Sequence, residues 1–308
     1  MKKNIKHLLD WKSWKDEEIR DLMELALKVK SKRWAYQGRF SGRDVAMIFQ
    51  KSSTRTRISF EVGINELGGN SIYLDWQTTN FAITDIRYEA KYLSRTTSAI
   101  LARLKNHDDL LKIIEVSEVP VINGCCNLYH PCQAFADCLT ILQFIKNLSG
   151  TKLTYVGAYN NVLNSLVSIC STFGIQLTIV CPIRDSDSID EESFQKLQKK
   201  GLLIETDNLK EAVKDAQLVY TDTWINMEFF DDPSYSEEKK KTIEKLMPYQ
   251  LNAEVMKDSQ AYIMHDMPIH AGYEITDELV WDKRSIIFDQ AENRLDAQKA
   301  ILIYLIEN

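Results

Sequence analysis

No run of about 18 apolar residues occurs anywhere in this chain, which removes a transmembrane helix from the readings open to it. A secretory leader is not expected either. The segment from Met1 to Asp10 is basic, but it lacks a long apolar stretch and a small-residue cleavage site, so a cytosolic protein with no membrane partner is expected. Excess positive charge is also absent. A net charge of -6 leaves no dominant basic face for nucleic-acid phosphates, so no nucleic-acid partner is expected, although a local anion site is compatible with that balance. The six cysteines (Cys125, Cys126, Cys132, Cys138, Cys170 and Cys181) form no CxxC pair and have no histidine ladder beside them, so they read as buried free thiols rather than metal ligands. Repeats and low-complexity stretches are missing too. What is present is 308 residues, 44% hydrophobic and 27% charged, enough for one large or two ordinary domains with buried cores.

Apolar runs of strand length alternate with longer stretches of helical period, the pattern of an open parallel α/β sheet. In the first half, Ser13 is a candidate cap for a helix with Ile19, Leu22, Met23, Ala26 and Val29 on its inner face. Strands are expected at Val45 to Phe49, Ser71 to Leu74, Ile100 to Leu104 and Pro120 to Asn123, followed by a long helix from His130 to Asn147. A short polar break at Asn147 to Gly150 marks the domain boundary. The pattern then restarts, with strands at Leu153 to Val156, Leu177 to Val180, Leu218 to Thr221 and Ile263 to His265. The last segment, Ala291 to Leu305, is apolar at helical spacing through Ala297, Ile301, Leu302 and Leu305, so it packs on a domain that period alone does not identify.

Directly after the first buried strand stands Phe49-Gln-Lys-Ser-Ser-Thr-Arg-Thr-Arg57, leading into a helical pattern. A helix N-terminus offers unpaired N–H donors and a positive dipole. Ser53, Thr54 and Thr56 add hydroxyls to it, and Arg55 and Arg57 add guanidinium forks, which together make an anion site. A plain helix cap with solvated arginines is the alternative, but it would not require both arginines. Arg103 ends a strand, where α/β sheets place ligand contacts. His130-Pro-Cys-Gln133 opens the next long helix and could bring an imidazole and an amide to the same crevice, or serve as a structural cap.

These motifs, in this order, resemble the carbamoyl phosphate signature of the aspartate and ornithine carbamoyltransferase family. The second half is similar to the ornithine branch: Asn160-Asn161 after a strand, Thr221-Asp-Thr-Trp-Ile225, Met264-His265 with Pro268, and Glu292-Asn-Arg294. The resemblance implies an α/β fold of two domains, each a parallel sheet flanked by helices. A carbamoyl phosphate-binding domain is expected over 1–148, an acceptor domain over 149–290, and a C-terminal helix, 291–308, packing back on the first domain. It implies that Ser53, Thr54, Arg55, Thr56 and Arg57 meet the phosphate, with Arg103 bridging phosphate and carbonyl. His130 and Thr56 would polarise the carbonyl oxygen, and Gln133, Arg294 and the Met267 backbone carbonyl would hold the carbamoyl NH2. Asn161, Asp222, Asn226, Met227 and Asp266 would face the amine, with Arg103, His130, Asp222 and Asp266 taking part in catalysis. The partners implied are carbamoyl phosphate, a small amine or amino acid, and further copies of the chain in a trimer or a multiple of trimers. No metal or organic cofactor is implied.

The departures lie on the acceptor side. The ornithine branch has His-Cys-Leu-Pro where this chain has His265-Asp266-Met267-Pro268, so a carboxylate replaces a thiol. It has Ser-Met-Gly where Asn226-Met227-Glu228 stands, and an aspartate near Gly157-Ala158. The stretch Trp76 to Ile86 does not reproduce the loop that a neighbouring subunit lends to the site, although Gln77 could serve there. Three functions therefore stand: carbamoyl transfer to ornithine giving citrulline, transfer to another amine, and carbamoyl phosphate binding without catalysis.

Overall fold

The computed structural model describes residues 5–184, 189–225 and 229–307. It divides into two units, Met1–Leu139 with Glu292–Asn308 and Thr140–Ala291. The first unit begins with α1 (Asp16–Ser31), whose first-turn acids Asp16, Glu17 and Glu18 meet the positive end of the helix dipole. The expected inner face, Ile19, Leu22, Met23, Ala26 and Val29, is buried. Its cap is Lys15 rather than Ser13. Glu18 accepts from the Lys15 backbone N–H at 3.0 Å, while the Ser13 N–H is taken by Asp10 at 2.9 Å. An acidic residue at the third helical position supplies the returning half of a capping box, and that moves the helix start.

Strands and helices then alternate: β1 (Asp44–Phe49), α2 (Thr54–Glu66), β2 (Asn70–Asp75), α3 (Ile86–Thr96), β3 (Ala99–Arg103), α4 (His107–Val116), β4 (Val121–Cys125) and α5 (Pro131–Ile145). The strands form a parallel sheet in the order β2-β1-β3-β4. Strands β3 and β4 are buried along their whole length, as strands covered on both faces must be. Ile86 and Ala90 of α3 and Leu110 and Ile113 of α4 pack on Ile48, Ile100, Ala102 and Val121, each large aliphatic contributing about 1.5–3 kcal/mol on burial. The chain leaves β1 for β2 on one side and returns to β3 on the other, so a crevice opens beyond the carboxyl ends of β1 and β3.

The second unit repeats the plan with β5 (Lys152–Ala158), α6 (Asn161–Phe173), β6 (Gln176–Ile183), α7 (Glu191–Lys199), β7 (Leu203–Glu205), α8 (Leu209–Lys214), β8 (Leu218–Thr221), α9 (Ser236–Leu246), α10 (Ala253–Met256), β9 (Tyr262–His265) and α11 (Asp277–Val280). Its parallel sheet runs β7-β6-β5-β8-β9, so the order reverses between β5 and β8. Val156, Val180, Val219 and Ile263 form its core with Leu251, Met256, Leu279 and Ile287. Strand β7 has no counterpart in the sequence reading, because three partly exposed residues carry no measurable period. The cysteine thiols are free, five buried and Cys181 only partly so. Among the described residues, no helix is long and apolar enough to cross a membrane.

The last helix, α12 (Ile287–Glu307), returns to the first unit. Its buried face carries Ala297, Ala300, Ile301, Leu302, Ile303 and Leu305. At its far end Arg39 donates to Glu307 at 2.7 Å and Arg43 to the Ile306 carbonyl at 3.3 Å. Midway, the fully buried Lys299 donates to Glu66 of α2 at 2.8 Å and to the Arg33 carbonyl at 3.1 Å, and Arg33 also pairs with Glu66. Burial pushes the Glu66 carboxyl up, but the hydrogen bonds and charges of Arg33 and Lys299 outweigh it and hold the pKa below the usual range. A carboxylate depressed on folding lends stability above its unfolded pKa and loses it as pH falls through the folded value. Glu66→Ala, which strands a buried ammonium, is therefore expected to cost about 3–5 kcal/mol near neutral pH. In urea titrations the deficit should shrink in acid; a deficit that is constant or grows there would contradict this account.

Candidate active site

The loop from β1 into α2 is pinned to the end of β3. The Gln50 N–H donates to the Arg103 carbonyl at 2.9 Å, and the Gln50 side chain accepts from the Lys105 N–H at 2.7 Å. Ser53 caps α2, its hydroxyl accepting from the Thr56 N–H at 3.3 Å. The cap and the expected anion site are thus the same feature, which leaves Thr54 and Arg55 in the first helical turn. Thr56 is fully buried. Its hydroxyl oxygen accepts from Arg294 of α12 at 2.7 Å and, at a longer 3.5 Å, from Arg103. A hydroxyl has two lone pairs and one proton, so Thr56 with two guanidinium donors keeps its proton to give.

Arg103 is aimed by an irregularity in the sheet. The register between β3 and β4 shifts at Ala102/Arg103, so Arg103 pairs with Cys125, whose φ of 154° is strained for a non-glycine residue. Arg103 is only 8% exposed and Arg294 only 1%. Two guanidinium groups this deep are tolerable when acceptors or anions complete their shells. The Arg103 Nε has no hydrogen-bond partner among the described residues.

His130 precedes α5, whose start is tied down by Trp11 donating to the Pro131 carbonyl at 2.9 Å. Burial first, and then the charges of Arg294, Arg103 and Arg55, pull its pKa well below the ordinary value, so the ring is neutral. One turn on, Gln133 gives its amide N–H to Asp137 at 2.8 Å, and its buried carbonyl oxygen has no partner among the described residues. Arg57 turns elsewhere: it pairs with Glu61 at 2.9 Å and lies 3.8 Å from the centre of the Tyr73 ring. Gln77 is exposed, its N–H bonded to Asp75 at 2.8 Å.

In the second unit, the ends of β5 and β8 bring together a set of opposite sign. Asn160 caps α6 and donates to Asp222 at 2.7 Å; Asn161 is the first residue of that helix. The Thr223 N–H reaches the other Asp222 oxygen at 2.7 Å. Burial first, and then the charge of Asp266, push the Asp222 carboxyl well above the usual carboxylate range. Asp266 is itself buried, and its Oδ1 has no partner among the described residues. The adjoining turn is organised by buried Glu274, which contacts His265 Nε2 at 3.1 Å and accepts from the His270 N–H at 2.5 Å. His265 Nδ1 accepts from the Met267 N–H at 2.7 Å, so the ring proton sits on Nε2 and faces Glu274. That bond holds Met267 in the left-handed region at φ 63°. Asn226 and Met227 lie outside the described residues.

Sequence reading gave no role to Asn160, Thr223 and His265, which it quoted only within motifs, and missed His270 and Glu274. Asn160 carried a signal, since an asparagine between a strand and a helix marks a cap whose amide remains free to donate. The others act through side-chain contacts within irregular turns, which carry no sequence period.

Two family models match in succession. The carbamoyl-P binding domain of aspartate/ornithine carbamoyltransferase covers residues 6–143, and the Asp/Orn binding domain covers 149–305. The ornithine carbamoyltransferase of Archaeoglobus fulgidus is 38% identical over 310 aligned positions, which span 98% of this chain and 98% of that protein. The enzyme of a Vibrio species is 39% identical over 98% of this chain and all of its own length. Among solved structures, the ornithine carbamoyltransferase of Pyrococcus furiosus superposes with a TM-score of 0.90 at 34% identity, covering 98% of this chain and 97% of that one. With both of its sheets and nearly its full length matched in this way, the chain belongs to the aspartate/ornithine carbamoyltransferase family.

Proposed function

We propose that this protein transfers the carbamoyl group of carbamoyl phosphate to the side-chain amine of ornithine, giving citrulline and phosphate. The observation that carries the reading is the convergence of Arg103 and Arg294 on Thr56, beside a neutral His130. The names of the relatives support it. Carbamoyl transfer needs an oxyanion stabilised on a tetrahedral carbon and a phosphate dianion that can leave. Fixed donors meet both needs without reorganising during the reaction.

On this reading Ser53, Thr54 and Arg55 bind the phosphate at the start of α2, and Arg103 spans phosphate and carbonyl. His130 is too strongly depressed to serve as an acid. It acts as a neutral N–H donor to the carbonyl oxygen, joined by the Thr56 hydroxyl. The Gln133 carbonyl and the Met267 carbonyl accept from the carbamoyl NH2. Asn161, Asp222 and Asp266 receive the amino acid.

The amine arrives as an ammonium, with an unperturbed pKa of about 10, and must lose a proton to attack. A buried carboxylate pair either shares a proton or holds a cation, and an ammonium is such a cation. Asp266 binds it and then accepts its proton as the C–N bond forms and the bond to phosphate breaks. Transfer to another amine is the second reading, favoured by the carboxylate at position 266 where the ornithine branch carries a thiol. Carbamoyl phosphate with a panel of amines separates the two, and phosphate release with none of them would leave a binding protein.

Three outcomes are expected. Arg55→Ala and Arg103→Ala should each weaken carbamoyl phosphate binding by roughly 1.5–3 kcal/mol in calorimetry, with acceptor affinity changing less. Unchanged donor affinity in both variants would remove the anion site. Asp266→Asn should spare donor binding and lower kcat/KM for the amine about 10²- to 10⁴-fold, and turnover within about threefold of the wild type would exclude the base. The active form should be a homotrimer or a multiple of trimers, sized by light scattering at assay concentration; a fully active monomer would refute this.

A further inference from the structure

His270 joins two stretches of the second unit that are separate in sequence. Its Nδ1 lies 2.9 Å from the Thr223 hydroxyl, beside Asp222, and its ring lies flat on Phe230, centroids 3.8 Å apart at an interplanar angle of 7°. Its own place is set from a third direction by its backbone N–H bond to Glu274. The Phe230 end is fixed in turn by Lys239 of α9, which donates to the Phe230 carbonyl at 2.7 Å and holds its ammonium 3.6 Å from the ring centre. Phe230 also packs on the small core of Trp224, Ile225 and Leu246. The imidazole therefore bridges the turn after β8 and the approach to α9.

The contact with Thr223 bears on Asp222. The Thr223 hydroxyl donates to the Ile225 carbonyl at 3.0 Å, which spends its single proton. Its contact with His270 then requires the proton on Nδ1, and burial lowers the His270 pKa so that the ring is neutral with one N–H to give. Thr223 in turn holds Asp222 through its backbone N–H, opposite the bond from Asn160. The two donors reach different oxygens of the buried Asp222 carboxyl and so fix its rotation.

We propose that His270 is a positioning residue for the acceptor: through its Nδ1–H bond to Thr223, and steadied by Phe230, it fixes the turn that aims Asp222 at the incoming amine. The inference rests on the acceptor role proposed for Asp222 above. His270 touches neither donor nor acceptor in this scheme, so its loss should appear in acceptor KM and leave carbamoyl phosphate affinity alone.

The test is a double-mutant cycle on the full-length protein, with ornithine and carbamoyl phosphate as substrates and donor affinity measured by calorimetry. His270→Ala should raise the ornithine KM by about tenfold, the worth of one lost hydrogen bond, with kcat changed less and donor affinity unchanged. His270→Asn, whose amide N–H can take the place of Nδ1–H, should recover most of the loss. Thr223→Val leaves the stack on Phe230 intact, so it remains informative if His270→Ala folds poorly, and it should reproduce the effect. The double variant should be no worse than either single one. Additive losses, an unchanged ornithine KM in both single variants, or equal damage to donor binding would overturn the proposal. A wild-type protein that binds carbamoyl phosphate but carbamoylates no amine would instead overturn the acceptor reading beneath it, and the inference with it.

Discussion

The structure of the first unit depends on holding two guanidinium groups, Arg103 and Arg294, almost wholly out of water and aimed at the same hydroxyl. Like charges so placed repel each other and lose hydration, so the surrounding elements must be fixed before such an arrangement can persist. The register shift in β3–β4, the capped start of α2, the tethered start of α5 and the return of α12 serve that end. Arg294 shows the dependence most directly. It donates to Thr56 from the same helix on which Lys299, five residues further along, is locked to Glu66.

The second unit solves the converse problem. Asp222 and Asp266 are buried carboxyl groups, and the groups around Asp222 are neutral donors: the Asn160 amide and the Thr223 N–H. Neutral donors orient a carboxylate without cancelling its charge, which leaves that charge available to a cation. A lysine or arginine in the same place would have made a salt bridge instead. Glu274 is spent differently, on His265 and His270, and its effect is to shape the turn that carries Asp266 and Met267.

Much of this was legible in the sequence. Strands such as Val45 to Phe49 and Leu218 to Thr221 reveal themselves because a strand buried on both faces needs consecutive apolar residues. The turn that opens α2 was readable because a strand end, a hydroxyl-rich stretch and a helix start occupy adjacent positions, so local chemistry alone specifies it. The order in which Ser53-Thr-Arg-Thr-Arg57, Arg103 and His130 occur was enough to raise the family. The start of α1 was misplaced because two capping arrangements compete within three residues, and only the reciprocal Glu18 bond decides between them.

The sequence by itself therefore determined the alternation of strands and helices, the hydroxyl-rich turn that opens α2 and the kind of chemistry the chain belongs to, since each is written in neighbouring residues. Tertiary structure alone decided that Arg57 turns to Tyr73, that α12 carries Arg294 back to Thr56, and that His270 bridges Thr223 and Phe230. Those facts depend on side chains far apart in the chain meeting at one point, and on burial raising or lowering their charge, neither of which has a local signature.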